Sequence, residues 1–226
     1  INITGDSNTV KDIQVSGTAG SSKNGIEVAS DYNSIRNVLC SGASEGITFI
    51  SGALYNVLDG ARTHSCTQTD IRVQSGATNN ILNNIHTMTT GALAYGSGVY
   101  VSGNDTVGSN WMMVSNGTTS SNTFTITGNS CTLSNLRVNL SGGASQINIS
   151  ASNNIINGLY VGVVGTSNHI GFSGDNNYVS IIEKATSGSI SIIFNGGADY
   201  NVVSGTRDLG ITDSGTGNRY TNTVQN

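Results

Sequence analysis

The stretch GDSNTVKDIQV, Gly5 to Val15, returns further along the chain as ASDYNSIRNVLC, Ala29 to Cys40. Each copy is a polar turn followed by a short apolar run. Further copies are SGALYNVLDGA from Ser51, SGATNNILNNIHT from Ser75, a degenerate SGNDTVGSNWMMV from Ser102 and TGNSCTLSNLRV from Thr127. The series ends with SASNNIINGLYV from Ser150, SGDNNYVSIIEK from Ser173, GADYNVVSGTR from Gly197 and SGTGNRYTNTVQ from Ser214. One turn asparagine per copy gives Asn8, Asn33, Asn56, Asn80, Asn104, Asn129, Asn154, Asn177, Asn201 and Asn218. The interval between them is nearly constant, in the low-to-middle twenties, and shortens only at the last step. A period of that length held from end to end is the mark of a solenoid, and it leaves no linker at which residues 1–226 divide into domains.

Composition agrees. Charged residues make up 10% of the chain, with 30 glycines and no proline, so Ser, Thr and Asn supply most of the polar positions. A flexible linker has a similar polar make-up, but regularly spaced Val, Ile, Leu and Phe give this chain a core that a linker lacks. The net charge of −4 comes without a basic cluster, which argues against nucleic acid as a partner. No apolar run approaches the roughly 18 residues of a membrane span, and the start has no basic leader. The chain reads as mature, or as excised from a longer protein, with no membrane insertion. Cys40, Cys66 and Cys131 lack metal-type spacing and cannot all pair, so free thiols are expected.

Alternation settles which solenoid this is. GIEV (25–28), GITF (46–49), DIRV (70–73), GVYV (98–101), TFTI (123–126), QINI (146–149), HIGF (169–172) and SIIF (191–194) occur once per period, with apolar residues at period two. A second strand follows each turn, as in DIQV (12–15), NVLC (37–40), NLRV (135–138) and IIEK (181–184). No copy carries helical spacing. Strands that recur at equivalent positions stack in parallel about 4.8 Å apart, so the expected fold is all-β, a parallel β-helix of about ten coils. Gly and Asn mark the corners because both tolerate left-handed backbone angles. A second polar column is expected at Asp12, Asn37, Asp59, Asn84, Asn110, Asn135, Asn157 and Asn222, its side chains bonding from coil to coil.

The loose S-G-x-x-N-x-Val/Ile-x-Asn-apolar pattern of these copies resembles the single-stranded right-handed β-helix of the pectin-lyase-like superfamily, most of all the bodies of bacteriophage tailspikes and tail appendages. The resemblance spans the chain and is architectural. It implies a homotrimeric, extracellular virion protein, a fragment of a longer one, that binds a bacterial surface glycan and in many relatives degrades it; the alternative is a non-catalytic receptor-binding module or structural shaft of such an appendage. No catalytic motif of that family can be carried onto residues here, and no cofactor is implied.

Chemistry therefore has to come from outward columns. In the second strand the outward series is expected to run Gln14, Leu39, Ala61, His86, Met112, Arg137, Tyr160, Glu183 and Arg207. Arg137, Tyr160, Glu183 and Arg207 would then form one strip, with an aromatic ring for sugar stacking, guanidiniums for acidic groups and Glu183 as a catalytic candidate. A plain solvated face with a Glu183–Arg207 pair is the alternative. In the first strand the outward series is Glu27, Thr48, Arg72, Tyr100, Thr125, Asn148, Gly171 and Ile193. Glycoside hydrolysis needs two nearby carboxylates, for which Asp175 with Asp199, and Asp6 with Asp31, are one coil apart. All four occupy turns where Asp is common for backbone reasons. Lyase chemistry asks instead for a base, and His86, His169 and Tyr160 are available. Tyr95, in the long connection HTMTTGALAYGSG (86–98), joins Tyr100 and Trp111 as binding candidates, although Trp111 reads equally as core. The scattered carboxylates suggest no metal site.

Overall fold

The structure, a computed structural model, describes residues 1–17, 23–89, 97–115, 122–141, 146–164, 168–187, 190–205 and 210–222. Among these the chain is all strand and turn, arranged as a parallel solenoid. Ten strands form one sheet: Asn2–Ile3, Ile26–Val28, Glu45–Phe49, Thr69–Val73, Ser97–Val101, Asn122–Ile126, Gln146–Ile149, Asn168–Phe172, Ile190–Phe194 and Gly210–Asp213. A second sheet alternates with it along the chain, its strands including Thr9–Ser16, Ser34–Ser41, Val57–His64, Val107–Ser115, Thr132–Ser141, Ile155–Val164 and Tyr178–Ser187. Every described pair is parallel, as coil-on-coil stacking requires.

The interior is built of columns. Along the first sheet, Ile26, Ile47, Ile71, Val99, Phe124, Ile147, Ile170 and Ile192 stack in register. Beside them run Ile3, Val28, Phe49, Val73, Val101, Ile126, Ile149, Phe172 and Phe194, all buried. Alternation in the sequence thus becomes two apolar columns inside and one column outside. Cys40, Cys66 and Cys131 are free and buried. Burial pushes the Cys40 thiol up to about 12 and that of Cys131 to about 11, so neither offers a thiolate at neutral pH.

Two kinds of left-handed corner recur up the stack among the described residues. At the first, Ser7, Tyr32, Tyr55, Asn79, Asp105, Ser130, Asn153, Asn176, Tyr200 and Gly217 all adopt positive φ, from 53 to 70°. The residue after each is the inner ladder site. Asn33 donates through its backbone N–H and its amide to Asn56 Oδ1, Asn56 does the same to Asn80, and Asn154, Asn177, Asn201 and Asn218 repeat the pattern. These buried amides satisfy turn N–H groups that water cannot reach. The expected series is corrected at two coils, where Thr106 and Cys131 take the inner site. Asn104 and Asn129 lie two residues earlier, on an outer ladder where Asn104 Oδ1 accepts from the Asn129 N–H and Asn129 Oδ1 from that of Ser152.

The second corner bends the long strands of the second sheet. Asp12, Asn37, Gly60, Asn84, Asn110, Asn135 and Gly158 have φ between 49 and 74°, in the middle of otherwise extended chain. Here too three expected positions move by one residue, Asn222 standing in register with Gly205, Ile181 and Leu159 just past the bend. Gly60 and Gly158 occupy the bend, and Asp59 and Asn157 precede it, because glycine reaches positive φ without a Cβ penalty. Side chains still bond along this column, with Asn110 donating to Asn84 at 3.2 Å and Asn135 to Asn110 at 2.6 Å.

Candidate functional site

The bend column and the outward residues just after it enclose a shallow groove of about 610 Å³ on the second sheet. Its walls are Asn37, Gly60, Asn84 and Asn110 on the bend and Leu39, Arg62, His86 and Met112 on the adjoining strands. Register puts Gln14, Leu39, Arg62, His86, Met112, Arg137, Tyr160 and Ile182 in one outward file. Neighbours in the file are about 4.8 Å apart, so the three steps from Arg62 to Arg137 span about 14 Å.

The expected file is corrected in two places. Ala61 is buried, one residue before Arg62, because the bend falls on Gly60 and the following residue turns inward. At the upper end Ile182, not Glu183, stands beside Tyr160, and Glu183 pairs in register with Val161. A one-residue deletion causes this. Ile156 lies beside Val179 and Leu159 beside Ile181, so Asn157 and Gly158 on one strand face only Ser180 on the next. All later residues of that strand shift by one, and Glu183 leaves the Tyr160 file.

Among the described residues, two cations and a base occupy the file. Arg62 is exposed and His86 half-buried. Partial burial, and secondarily the charge of Arg62, hold the His86 imidazole below its ordinary value, so it is neutral at pH 7. The Arg137 guanidinium lies 4.9 Å from the centre of the Tyr160 ring, a cation–π contact that presents charge and aromatic edge together. Beside the bend, Asn84 donates to Asp59 Oδ1 at 2.7 Å, which keeps that carboxylate engaged. Among the described residues no Asp or Glu lines the groove, so the two-carboxylate arrangement of glycoside hydrolysis is not built from them.

The other sequence candidates fall elsewhere. Asp175 and Asp199 sit on the outer ladder of the first corner: Asp175 Oδ1 accepts from the Asp199 N–H at 2.9 Å and Asp199 Oδ1 from the Thr216 N–H at 2.6 Å. Asp6 and Asp31 do the same lower in the stack, accepting from Asp31 and Leu54. These four carboxylates hold backbone, as turn aspartates do. Trp111, open in sequence between binding residue and core, is core, at 1% exposure. Its indole fills the space above Gly108, where a Cβ would collide with it, meets Phe124 edge-on at 5.9 Å, and donates to the Leu82 carbonyl at 2.7 Å. That exchange of a small for a large side chain explains why this coil looks degenerate in sequence. Tyr95 and Arg207 lie outside the described residues, as does the side chain of Glu183.

On the outer face of the first sheet, Thr48, Arg72 and Tyr100 stand in register, but Thr48 is buried. Glu45 covers it. The Glu45 carboxylate accepts the Thr48 hydroxyl hydrogen at 2.6 Å and pairs with Arg72 at 2.5 Å, while Arg72 reaches toward the Tyr100 ring at 6.0 Å. Tyr100 Oη also accepts from Thr127 at 3.4 Å. Internal pairing of this kind turns the polar capacity of the cluster on itself. Among the described residues no group of three His, Cys, Asp or Glu side chains could hold a metal ion.

No protein-family model matches the chain, and no curated protein matches it. Among solved structures the chain is similar to an alginate lyase from a Paenibacillus species, with a TM-score of 0.60 and 17% identity over 92% of this chain and 78% of the other. At that identity the likeness is one of fold.

Proposed function

We propose that this solenoid recognises an acidic bacterial surface polysaccharide laid along the second-sheet groove. One observation carries the reading: Arg62, His86, Arg137 and Tyr160 share a straight outward file bordered by the bend amides of Asn37, Asn84 and Asn110. A linear uronate polymer presents carboxylates and ring faces at regular intervals. Guanidiniums bind carboxylates through paired charge-assisted hydrogen bonds, the amides serve ring hydroxyls, and Tyr160 adds aromatic surface for sugar C–H groups. Support for a glycan partner comes also from the fold, which is similar to that of an alginate lyase.

The same file holds the two groups that β-elimination requires. Neutral His86 can take the proton α to a uronate carboxylate whose charge Arg62 neutralises. The electron pair released forms the new double bond, the glycosidic C–O bond breaks, and the departing oxygen is protonated from the imidazolium. Hydrolysis has no such pair among the described residues of the groove. On this reading the chain serves as the body of an extracellular virion appendage, assembled as a homotrimer. Support for side-by-side assembly is an exposed ridge along the second sheet, where Ile81, Val107, Ile155 and Tyr178 point outward in one column interrupted only by Thr132.

Calorimetric titration with oligomers of alginate and galacturonate, against neutral dextran, tests the proposal. Wild-type protein binds the acidic oligomers and not dextran, and Arg62→Gln weakens that binding by about tenfold or more. His86→Gln keeps the binding and loses the ultraviolet absorbance of the unsaturated product. Equal affinity for dextran, or an unaltered affinity in Arg62→Gln, contradicts the assignment.

A further inference from the structure

The first corner takes a left-handed residue in coil after coil, and most coils supply Ser, Asn, Asp or Gly. Among the described residues three coils supply tyrosine: Tyr32, Tyr55 and Tyr200, at φ of 57, 56 and 56°. A bulky side chain at positive φ is an outlier that the fold does not need, since the neighbouring coils close the same turn with small polar residues. Such strain concentrates where a side chain is used for something other than folding.

The rings show what that use is. Tyr32 and Tyr55 stack almost parallel, 7° between planes and 5.3 Å between centres, yet remain 59% and 49% exposed. They belong to successive coils, so the stack runs along the solenoid and each ring stands out as a shelf across its axis. Flanking positions in the same column are Ser7 and Asn79, too small to cover the outward faces of the pair. Tyr200, 62% exposed, takes the same corner position near the far end, with its ring laid against Gly217. Asp31 precedes Tyr32 in the chain and Asp6 holds the equivalent place one coil earlier, each using one carboxylate oxygen to hold a backbone N–H of the next coil.

We propose that Tyr32 and Tyr55 form a stacking platform for a neutral pyranose ring, with Asp6 and Asp31 accepting hydrogen bonds from its hydroxyls. The apolar C–H face of a sugar suits a flat exposed aromatic, and flanking carboxylates repel uronates. The platform thus has the opposite charge preference to the Arg62 groove. Being separate in residues and in chemistry, it stands or falls independently of the acidic-glycan reading.

The test is the double variant Tyr32→Asn, Tyr55→Asn, chosen because Asn is favoured at left-handed φ. Binding is followed by calorimetry with cellohexaose, maltohexaose and mannohexaose, and separately with an alginate hexamer. Wild-type protein binds at least one neutral hexaose. The double variant binds it about tenfold more weakly or not at all, keeps its alginate affinity, and melts at the same temperature as wild type or higher. A lower melting temperature in the variant shows the rings to be structural and overturns the proposal. So does an unchanged affinity for the neutral hexaose, or a wild-type protein that binds none of the three at millimolar concentration. Loss of alginate binding in Arg62→Gln, measured in parallel, reports on the groove alone.

Discussion

Replacing Phe172 with Asp abolishes folding. Phe172 is fully buried and stacks on Phe194 with ring centres 5.0 Å apart, in a column whose neighbours are Ile149 below and Phe194 above. An aspartate there either carries an unpaired charge into a dry interior or must be protonated to enter it, and it also forfeits the aromatic contact. The combined cost, several kcal/mol for the charge and about 3 to 5 kcal/mol for the lost ring, meets or exceeds the whole stability of an ordinary domain. Each coil of a solenoid is stabilised mainly by its two neighbours, so a break at this level uncouples the coils on either side. Circular dichroism of the purified variant shows loss of the strand signal and of the cooperative melt. A variant melting within a few degrees of wild type would mean that the side chain at 172 points outward. Ile149→Asp, one coil below in the same column, is expected to behave alike.

Asn177→Leu costs about 2 to 6 kcal/mol, although it adds apolar surface to a buried site, because it strands two buried donors at about 1 to 3 kcal/mol each. The Asn177 Oδ1 accepts both the backbone N–H of Asn154 at 3.0 Å and its side-chain amide at 3.1 Å, and its own amide donates to Asn201 at 2.9 Å. Leucine removes that acceptor and leaves both Asn154 groups without a partner. Asn129→Ala on the outer ladder supplies the contrast. Asn129 accepts the Ser152 N–H at 2.8 Å, but the position is exposed and water can take its place, so the expected loss is below about 1.5 kcal/mol. Urea unfolding of the two variants ranks Asn177→Leu as clearly the more costly. Equal losses would mean that the inner column is hydrated.

Two coincident periods make the fold legible. Alternation within GITF, TFTI or QINI gives a strand, and its return once in every copy of the repeat forces those strands to stack. The corners are harder to place. In a chain so rich in Asn and Gly, a one-residue shift leaves the composition of a turn unaltered, so nothing in the letters distinguishes Asp59 from Gly60, or Asn157 from Gly158, as the bend. Yet side chains alternate, and each such slip reverses the face of all that follows. That is why the letters favour Ala61 over Arg62 as the outward residue, and why they set Glu183 beside Tyr160 where the structure has Ile182.

Groove residues lack any signal of their own. Outward positions are free to vary, and Arg62, His86 and Arg137 are an acceptable solvated face until the bend beside them is known to make a concave surface. Trp111 is ambiguous in sequence because its partner in packing, Gly108, is an absence of side chain rather than a pattern. Tyr32, Tyr55 and Tyr200 are hidden within the repeat itself, since the requirement for positive φ at each of them follows from backbone geometry and not from the residue type.

The most direct measurement is a crystal structure of the protein soaked with an alginate hexamer. The groove assignment predicts density along the file from Leu39 to Tyr160, with sugar carboxylates within hydrogen-bonding distance of the Arg62 and Arg137 guanidiniums and a ring against Tyr160. Density on the outer face of the first sheet at Arg72 and Tyr100, or an empty groove at millimolar ligand, would contradict it.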